Sequence, residues 1–215
     1  MSQQIGNIDF LFITDEEKKQ ATIFRVRSVK GDVIQSINFP DKVQENGINY
    51  TVTCIKGREE TKYYDYNTYE TVTDKRRKDY GKEVIVKSVK KSYKEYYDVL
   101  GSSTNSNLKS VKLPKTLKRI GDYAFIKCEG LKSIDIPSGV ESIGEKAFYE
   151  TGIKKVTLPS SVKEIGSYAF YSSDISTTLK IQNKEGVVKF GACAVDSNDK
   201  VEYVGEGLLS KLFGK

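Results

Sequence analysis

Three consecutive segments decide the fold: LKSVKLPKTLKRIGDYAFIKCEG from Leu108, LKSIDIPSGVESIGEKAFYETG from Leu131 and IKKVTLPSSVKEIGSYAFYSSD from Ile153. Pro114, Pro137 and Pro159 fall 23 and then 22 residues apart. Ile120-Gly121, Ile143-Gly144 and Ile165-Gly166 keep that step, as do Ala124-Phe125, Ala147-Phe148 and Ala169-Phe170. Such a period marks a stacked repeat, in which one coil cannot bury its own apolar side chains and its neighbours cover them.

Each part of the unit has a physical reading. Leu108, Val111 and Leu113 have the LxxLxL spacing of a short strand facing a core, and Pro114 ends it because proline cannot donate to a ladder. Leu117 and Ile120 point inward from a second extended piece. Gly121 is expected to supply a turn conformation that a β-carbon resists. Ala124 and Phe125 are expected on a short helical turn, with Phe125, Phe148 and Phe170 stacked in one core.

The register extends outward from there. Leu179 to Ile181 repeats the strand, Val187 to Val195 repeats the Ile-Gly-to-Phe piece, and Val201, Tyr203 and Val204 start one more strand. The tail GLLSKLFGK reads as an amphipathic helical cap through Leu208, Leu209, Leu212 and Phe213. Upstream, Ile37, Phe39 and Pro40 match the strand-then-proline unit, and Tyr50 to Gly57 matches the second piece. IDFLFI and ATIFRV alternate as a β-hairpin cap. VIVKSVKKSYKEYYDVL from Val84 to Leu100 reads as a damaged copy, Val86-Lys87-Ser88-Val89 standing for Val140-Glu141-Ser142-Ile143. The expected organisation is one solenoid domain: a cap and degenerate repeat at 1–57, an insert at 58–83 folded as a hairpin, leucine-rich repeats at 84–200 and a C-terminal cap at 201–215.

Composition narrows the chemistry. The 215 residues contain no histidine, which removes the commonest general base and metal ligand. Cys54, Cys128 and Cys193 form no CxxC pair, and their odd number argues against a disulfide framework; they read as small buried residues. No Gly-rich phosphate loop occurs. The expectation is no catalytic residue, no metal and no cofactor. No apolar run of 18 residues is present, so no membrane insertion is expected of this segment. The net charge of +6 is spread along the chain and mixed with acids, unlike a phosphate-binding face, so nucleic acid is not an expected partner.

The unit LxSIxIPxxVxSIGxxAFxxC, with Cys128 at its terminal Cys position, resembles the BspA-like leucine-rich repeat family of bacterial cell-surface proteins. The order of hairpin, GDVxxxxxFP and NGxxYTVTxI resembles the caps of such proteins. The resemblance implies an α+β, right-handed solenoid of about 23 residues per repeat. It also implies export, surface display and adhesion to host matrix proteins, glycans or other cells; separately, a monomer is expected. A leader ahead of residue 1 fits that reading; a native start at Met1 fits the cytoplasm, and the alternative is an intracellular or periplasmic scaffold without an adhesive role. No family motif fixes the ligand-binding residues.

Two candidate binding segments follow from the residues themselves. The insert carries Tyr63, Tyr64, Tyr66, Tyr69 and Tyr80 beside Lys75, Arg76, Arg77 and Lys78, and tyrosines offer rigid contact area with a hydroxyl. On the repeats, Lys109, Lys132 and Lys154 share one position, while Lys112, Asp135, Thr157 and Lys180 share another. Stacking would align the first set into a ladder that attracts sulfated glycans or an acidic protein face.

Overall fold

The computed structural model describes residues 1–71, 83–102, 105–172 and 177–204; within these, side chains are described outside 64–71 and 83–89. The chain divides into two compact units, Met1–Arg58 with Tyr96–Lys215, and Glu59–Glu95.

Unit one begins with β1 (Ser2–Ile5), β2 (Ile8–Asp15) and β3 (Gln20–Ser28), joined antiparallel in that order. Alternation in IDFLFI and ATIFRV buries Phe10, Phe12, Ala21, Ile23 and Val26, so the expected β-hairpin cap is present. Next come β4 (Ser36–Asn38), β5 (Lys42–Glu45) and β6 (Ile48–Ile55). The separate unit is built on β7 (Arg58–Thr71) and β8 (Glu83–Tyr97), which pair in a sheet of their own. The coils then supply β9 (Ser110–Lys112), β10 (Arg119–Ile120), β11 (Ser142–Ile143), β12 (Lys155–Leu158), β13 (Glu164–Ile165), β14 (Thr178–Ile181), β15 (Lys189–Phe190) and β16 (Lys200–Tyr203).

Two strand faces result. One continues the cap: β3 pairs parallel with β6, and β6, β10, β11, β13 and β15 follow in parallel, Ile55, Ile120, Ile143, Ile165 and Phe190 taking equivalent places. The other is built from the LxxLxL pieces. Here β4 pairs with β9, and β12 pairs with β14 and β14 with β16, all parallel. Between the faces lies one apolar core in which Phe125 stacks on Phe148 at 5.5 Å and Phe148 on Phe170 at 5.1 Å, each ring at most 2% exposed.

The turn containing Ala-Phe is not helical. Tyr123, Phe125 and Lys127 donate their N–H groups to Glu145, Ala147 and Tyr149 carbonyls of the next coil, at 2.9, 2.8 and 2.7 Å. The intervening Ala124, Ile126 and Cys128 donate back to Gly121, Tyr123 and Phe125. Alternate donors therefore leave the coil, and no helical i→i−4 run can form. Left-handed φ values of 59° and 53° at Tyr123 and Lys127 impose the same break, and Lys146, Glu150, Tyr168 and Cys193 repeat it. No helix occurs among the described residues, so the α+β expectation gives way to an all-β repeat. The expected C-terminal helical cap at 205–215 lies outside the described residues.

The role of the repeat glycine also changes. Gly121, Gly144, Gly166 and Gly191 do not have positive φ. A β-carbon on Gly166 would stand 2.6 Å from Glu145 N and Gly144 C of the preceding coil, and the other three are similarly crowded. Glycine is needed here for close approach between coils, and the turn strain is carried by the residue two positions later.

The segment 84–100, expected as a damaged repeat, is largely the 15-residue strand β8. Its period-2 alternation suits either reading, but β6 pairs directly with β10 and leaves no place for a coil between them. Gly57 N–H donates to Asp122 O and Val99 N–H to Ala124 O, so coil one runs from Gly57 into Asp98-Val99. Val99, fully buried, fills the slot that Phe125 fills one coil later. The insertion thus spans Arg58–Tyr97 and interrupts a turn.

Replacing Phe148 by Ala should cost about 3–5 kcal/mol in chemical denaturation. Gly166→Ala, which at an ordinary φ would normally stabilise by about 0.4–1 kcal/mol, should instead destabilise by about 1–3 kcal/mol through overpacking. A neutral Gly166→Ala would contradict the coil spacing described above.

Candidate binding surfaces

On the LxxLxL face, β12 alternates exposed Lys155 and Thr157 with buried Val156 and Leu158. Lys109, Lys132 and Lys154, the residues just before the strand positions, are exposed. Lys109 Nζ donates to Ser106 O at 2.9 Å and Lys132 Nζ to Glu129 O at 2.7 Å. These lysines, together with Lys112 and Lys155, have no carboxylate partner among the described residues. At the far end of the same face the charge is compensated, since Lys180 and Lys200 both meet Glu202, at 3.4 and 2.7 Å. Lys200 raises its affinity for a proton and Glu202 lowers its own through that hydrogen bond.

Lys132 and Lys154 line one groove of about 530 Å³ with Ser133, Asp135, Lys155 and Thr157. The groove marks a break in the ladder. Residues 131–137 form no strand, and no backbone hydrogen bond joins Lys132–Ile136 to β9 or β12. Sequence spacing predicts a strand there. Ser133 and Asp135 are poor strand formers beside the Val-Thr of β12, and both are exposed, so water can satisfy the freed backbone groups.

A second surface runs along the turns. Tyr96 lies 4.8 Å from Tyr123, and Lys146 Nζ sits 4.1 Å from the Tyr96 centroid and 5.8 Å from that of Tyr168. Tyr168 meets Tyr171 edge-on at 5.9 Å, and Tyr171 stacks on Tyr149 at 5.7 Å. The Tyr149 hydroxyl is pushed up to about 12 by burial and by the Glu150 carboxylate. The contacts of Tyr96 with Tyr123, of Tyr149 with Tyr171 and of Lys146 with Tyr96 and Tyr168 join neighbouring coils, so this ridge braces them.

Where the insertion rejoins coil one, Asp98 is 1% exposed. Its oxygens accept from Ser102 N–H at 2.9 Å, Asn105 Nδ2 at 3.0 Å and Cys128 Sγ at 3.3 Å. Asn105 Oδ1 in turn accepts from the N–H groups of Asn107 and Leu108. Burial pushes the Asp98 carboxyl above its ordinary value, partly offset by those donors, and burial beside Asp98 pushes the Cys128 thiol well up. Cys128 is buried, as the composition reading expects; Cys54 is half-buried and Cys193 exposed.

Residues 102–204 match the family model described as a BspA type leucine rich repeat region, in six copies. These coils are BspA-type leucine-rich repeats. Similar solved structures include a leucine-rich repeat protein from Bacteroides capillosus, 19% identical with a TM-score of 0.47, the match covering 95% of this chain and 99% of that one. Others are a leucine rich cell surface protein from Faecalibacterium prausnitzii (17%, 0.48, 96% and 55%) and the pneumococcal vaccine antigen PcpA (19%, 0.48, 96% and 50%). This chain spans about half the length of the last two. No curated protein matches it.

Within the leucine-rich repeats, the structure brings Lys132 and Lys154 to one groove and leaves Lys109 at the same position one coil earlier. In the insertion, Tyr63 is 66% exposed on β7, with Lys90 Nζ 5.8 Å from its ring centroid. Tyr64, Tyr66 and Tyr69 fall on β7 with side chains outside the described set, and Lys75, Arg76, Arg77 and Lys78 lie outside the described residues. Sequence reasoning missed Lys155, the broken ladder, the Tyr96–Tyr171 ridge and the Asp98 cluster. One signal was present: Tyr97-Asp98-Val99-Leu100 lines up with Tyr123-Ala124-Phe125-Ile126, which marks the end of the insertion.

Asn105 cannot flip its amide without losing two backbone donors, so Asp98→Asn sets Nδ2 against a donor. It should cost about 1–3 kcal/mol at neutral pH. Because the folded carboxyl holds its proton more tightly than the unfolded one, acidification towards the carboxylate range favours the native wild type. The gap between wild type and Asp98→Asn in urea denaturation should therefore widen from pH 7 to pH 4.5. A gap that narrows would contradict the raised Asp98.

Proposed function

We propose that the leucine-rich repeats form a non-catalytic binding module, displayed at the cell surface or secreted, that adheres to an anionic protein or glycan through the LxxLxL face. The supporting observation is the set of exposed lysines on successive coils, Lys109, Lys112, Lys132, Lys154 and Lys155, none matched by a carboxylate among the described residues. A cation row without internal partners keeps its field for a ligand, and stacking repeats it at a fixed step. The insertion, with Tyr63, Tyr64, Tyr66, Tyr69 and Lys75–Lys78, is assigned the second contact, since tyrosines beside basic residues make anchors suited to an individual partner. The match of residues 102–204 to the BspA type leucine rich repeat region supports this reading.

The test is biolayer interferometry of the whole chain against immobilised matrix proteins and sulfated glycans. At least one ligand should bind saturably, weaken with added salt, and lose at least tenfold in affinity with Lys132→Glu/Lys154→Glu. Both positions are exposed, so the thermal midpoint should stay within a few degrees. No saturable binding across the panel, or binding indifferent to the charge reversal, would overturn the proposal.

A further inference from the structure

We infer that the groove between Lys132–Ile136 and β12 receives an extended acidic peptide segment of a partner protein, bound by backbone pairing as well as by charge. The inference rests on the proposed binding face and narrows it to one ligand chemistry.

The direction of the β12 backbone carries the argument. Thr178 N–H donates to Lys154 O at 2.9 Å and Gln182 N–H to Leu158 O at 3.0 Å. In a parallel ladder the residues facing one neighbour alternate with those facing the other. Lys154, Val156 and Leu158 therefore aim their backbone groups at β14, and Lys155 and Thr157 aim theirs away from it, towards the groove. The segment that would normally receive them, Lys132–Ile136, makes no backbone hydrogen bond to β12. Two donors and two acceptors are thus left on a strand edge that borders a groove of about 530 Å³, within the roughly 300–1,000 Å³ range of ligand sites.

Three cations, Lys132, Lys154 and Lys155, surround those groups, against the single carboxylate of Asp135. A peptide strand offers alternating N–H and C=O groups at the spacing of an open strand edge, and acidic side chains suit the lysines. A sulfated glycan suits the lysines but has no such alternation. The open edge therefore favours peptide over glycan.

The probe is an acetylated and amidated octapeptide of alternating Glu and Val, with a second version N-methylated at every other residue. Heparin oligosaccharide is the competing arm, and all three are titrated into the full chain by calorimetry or fluorescence anisotropy. The plain peptide should bind saturably, and alternate methylation, which leaves every charge in place, should cost at least tenfold. Thr157→Pro removes one groove-facing N–H, spares the ladder to β14 and keeps all lysines; it should weaken the peptide at least tenfold and leave heparin unchanged. Should that variant fail a thermal-unfolding check, the methylated peptide decides alone. Equal binding of the two peptides overturns the inference. So does heparin binding that depends on Lys132 and Lys154 with no peptide binding, an outcome that leaves the proposed binding face standing.

Discussion

The spacing between coils is the constraint on which the rest of this structure depends. At each turn the chain sends alternate N–H groups into the next coil and keeps the others within its own, so the backbone is satisfied only when neighbours sit one strand spacing apart. Gly144, Gly166 and Gly191 permit that spacing because a β-carbon there would meet the backbone of the coil before, and at Gly121 it would meet the Lys56 β-carbon. Left-handed φ two residues later turns the chain without glycine's help. The phenylalanine column follows from the same spacing: rings held 5.1 and 5.5 Å apart need coils at a fixed step.

Much of this was legible in the sequence because a repeat states its own register. The steps of proline, Ile-Gly and Ala-Phe placed the two strand faces and the buried rings, and alternation placed the cap hairpin. The helical turn was misjudged for a physical reason. Small and aromatic residues in Ala-Phe suit a helix locally, whereas the inter-coil hydrogen bonds that forbid one are made to residues about 22 positions away. The glycine was credited with torsional freedom when its role is clearance, and sequence alone does not separate the two. Residues 84–100 misled for a related reason, since a long strand and a decayed coil share a period-2 pattern and only the direct pairing of β6 with β10 distinguishes them.

Candidate site residues were less legible than the fold. Repeat position predicted that Lys109, Lys132 and Lys154 are exposed, but exposure is common to both a solvated row and a binding row. What sets Lys132 and Lys154 apart is the broken ladder between them. That break arises from a modest local weakness, Ser133 and Asp135 in place of better strand formers, and the pattern LxxLxL does not display it. Likewise Asp98 gained its surroundings from Asn105 and Cys128, which only folding brings together.

A coil can forgo its ladder on one face because its other face, its ring column and its turn stay joined to the neighbouring coils. Ile143 stays paired on both sides, with Ile120 and Ile165; Phe148 stacks on both sides; and the turn bonds of Lys146, Phe148 and Glu150 to the following coil are intact. The third coil is therefore held by its ring column, one strand face and its turn, while Lys132, Ser133 and Asp135 of the freed segment are exposed, where hydration offsets part of each lost bond. Local loosening at an exposed position thus costs little and leaves the repeat step unchanged. The same reasoning accounts for the insertion: Arg58–Tyr97 interrupts a turn of the first coil, yet Gly57 and Val99 still donate to Asp122 and Ala124. Coil stacking fixes the step between neighbours, and it is this redundancy that lets one coil open a strand edge and another carry an insertion of forty residues.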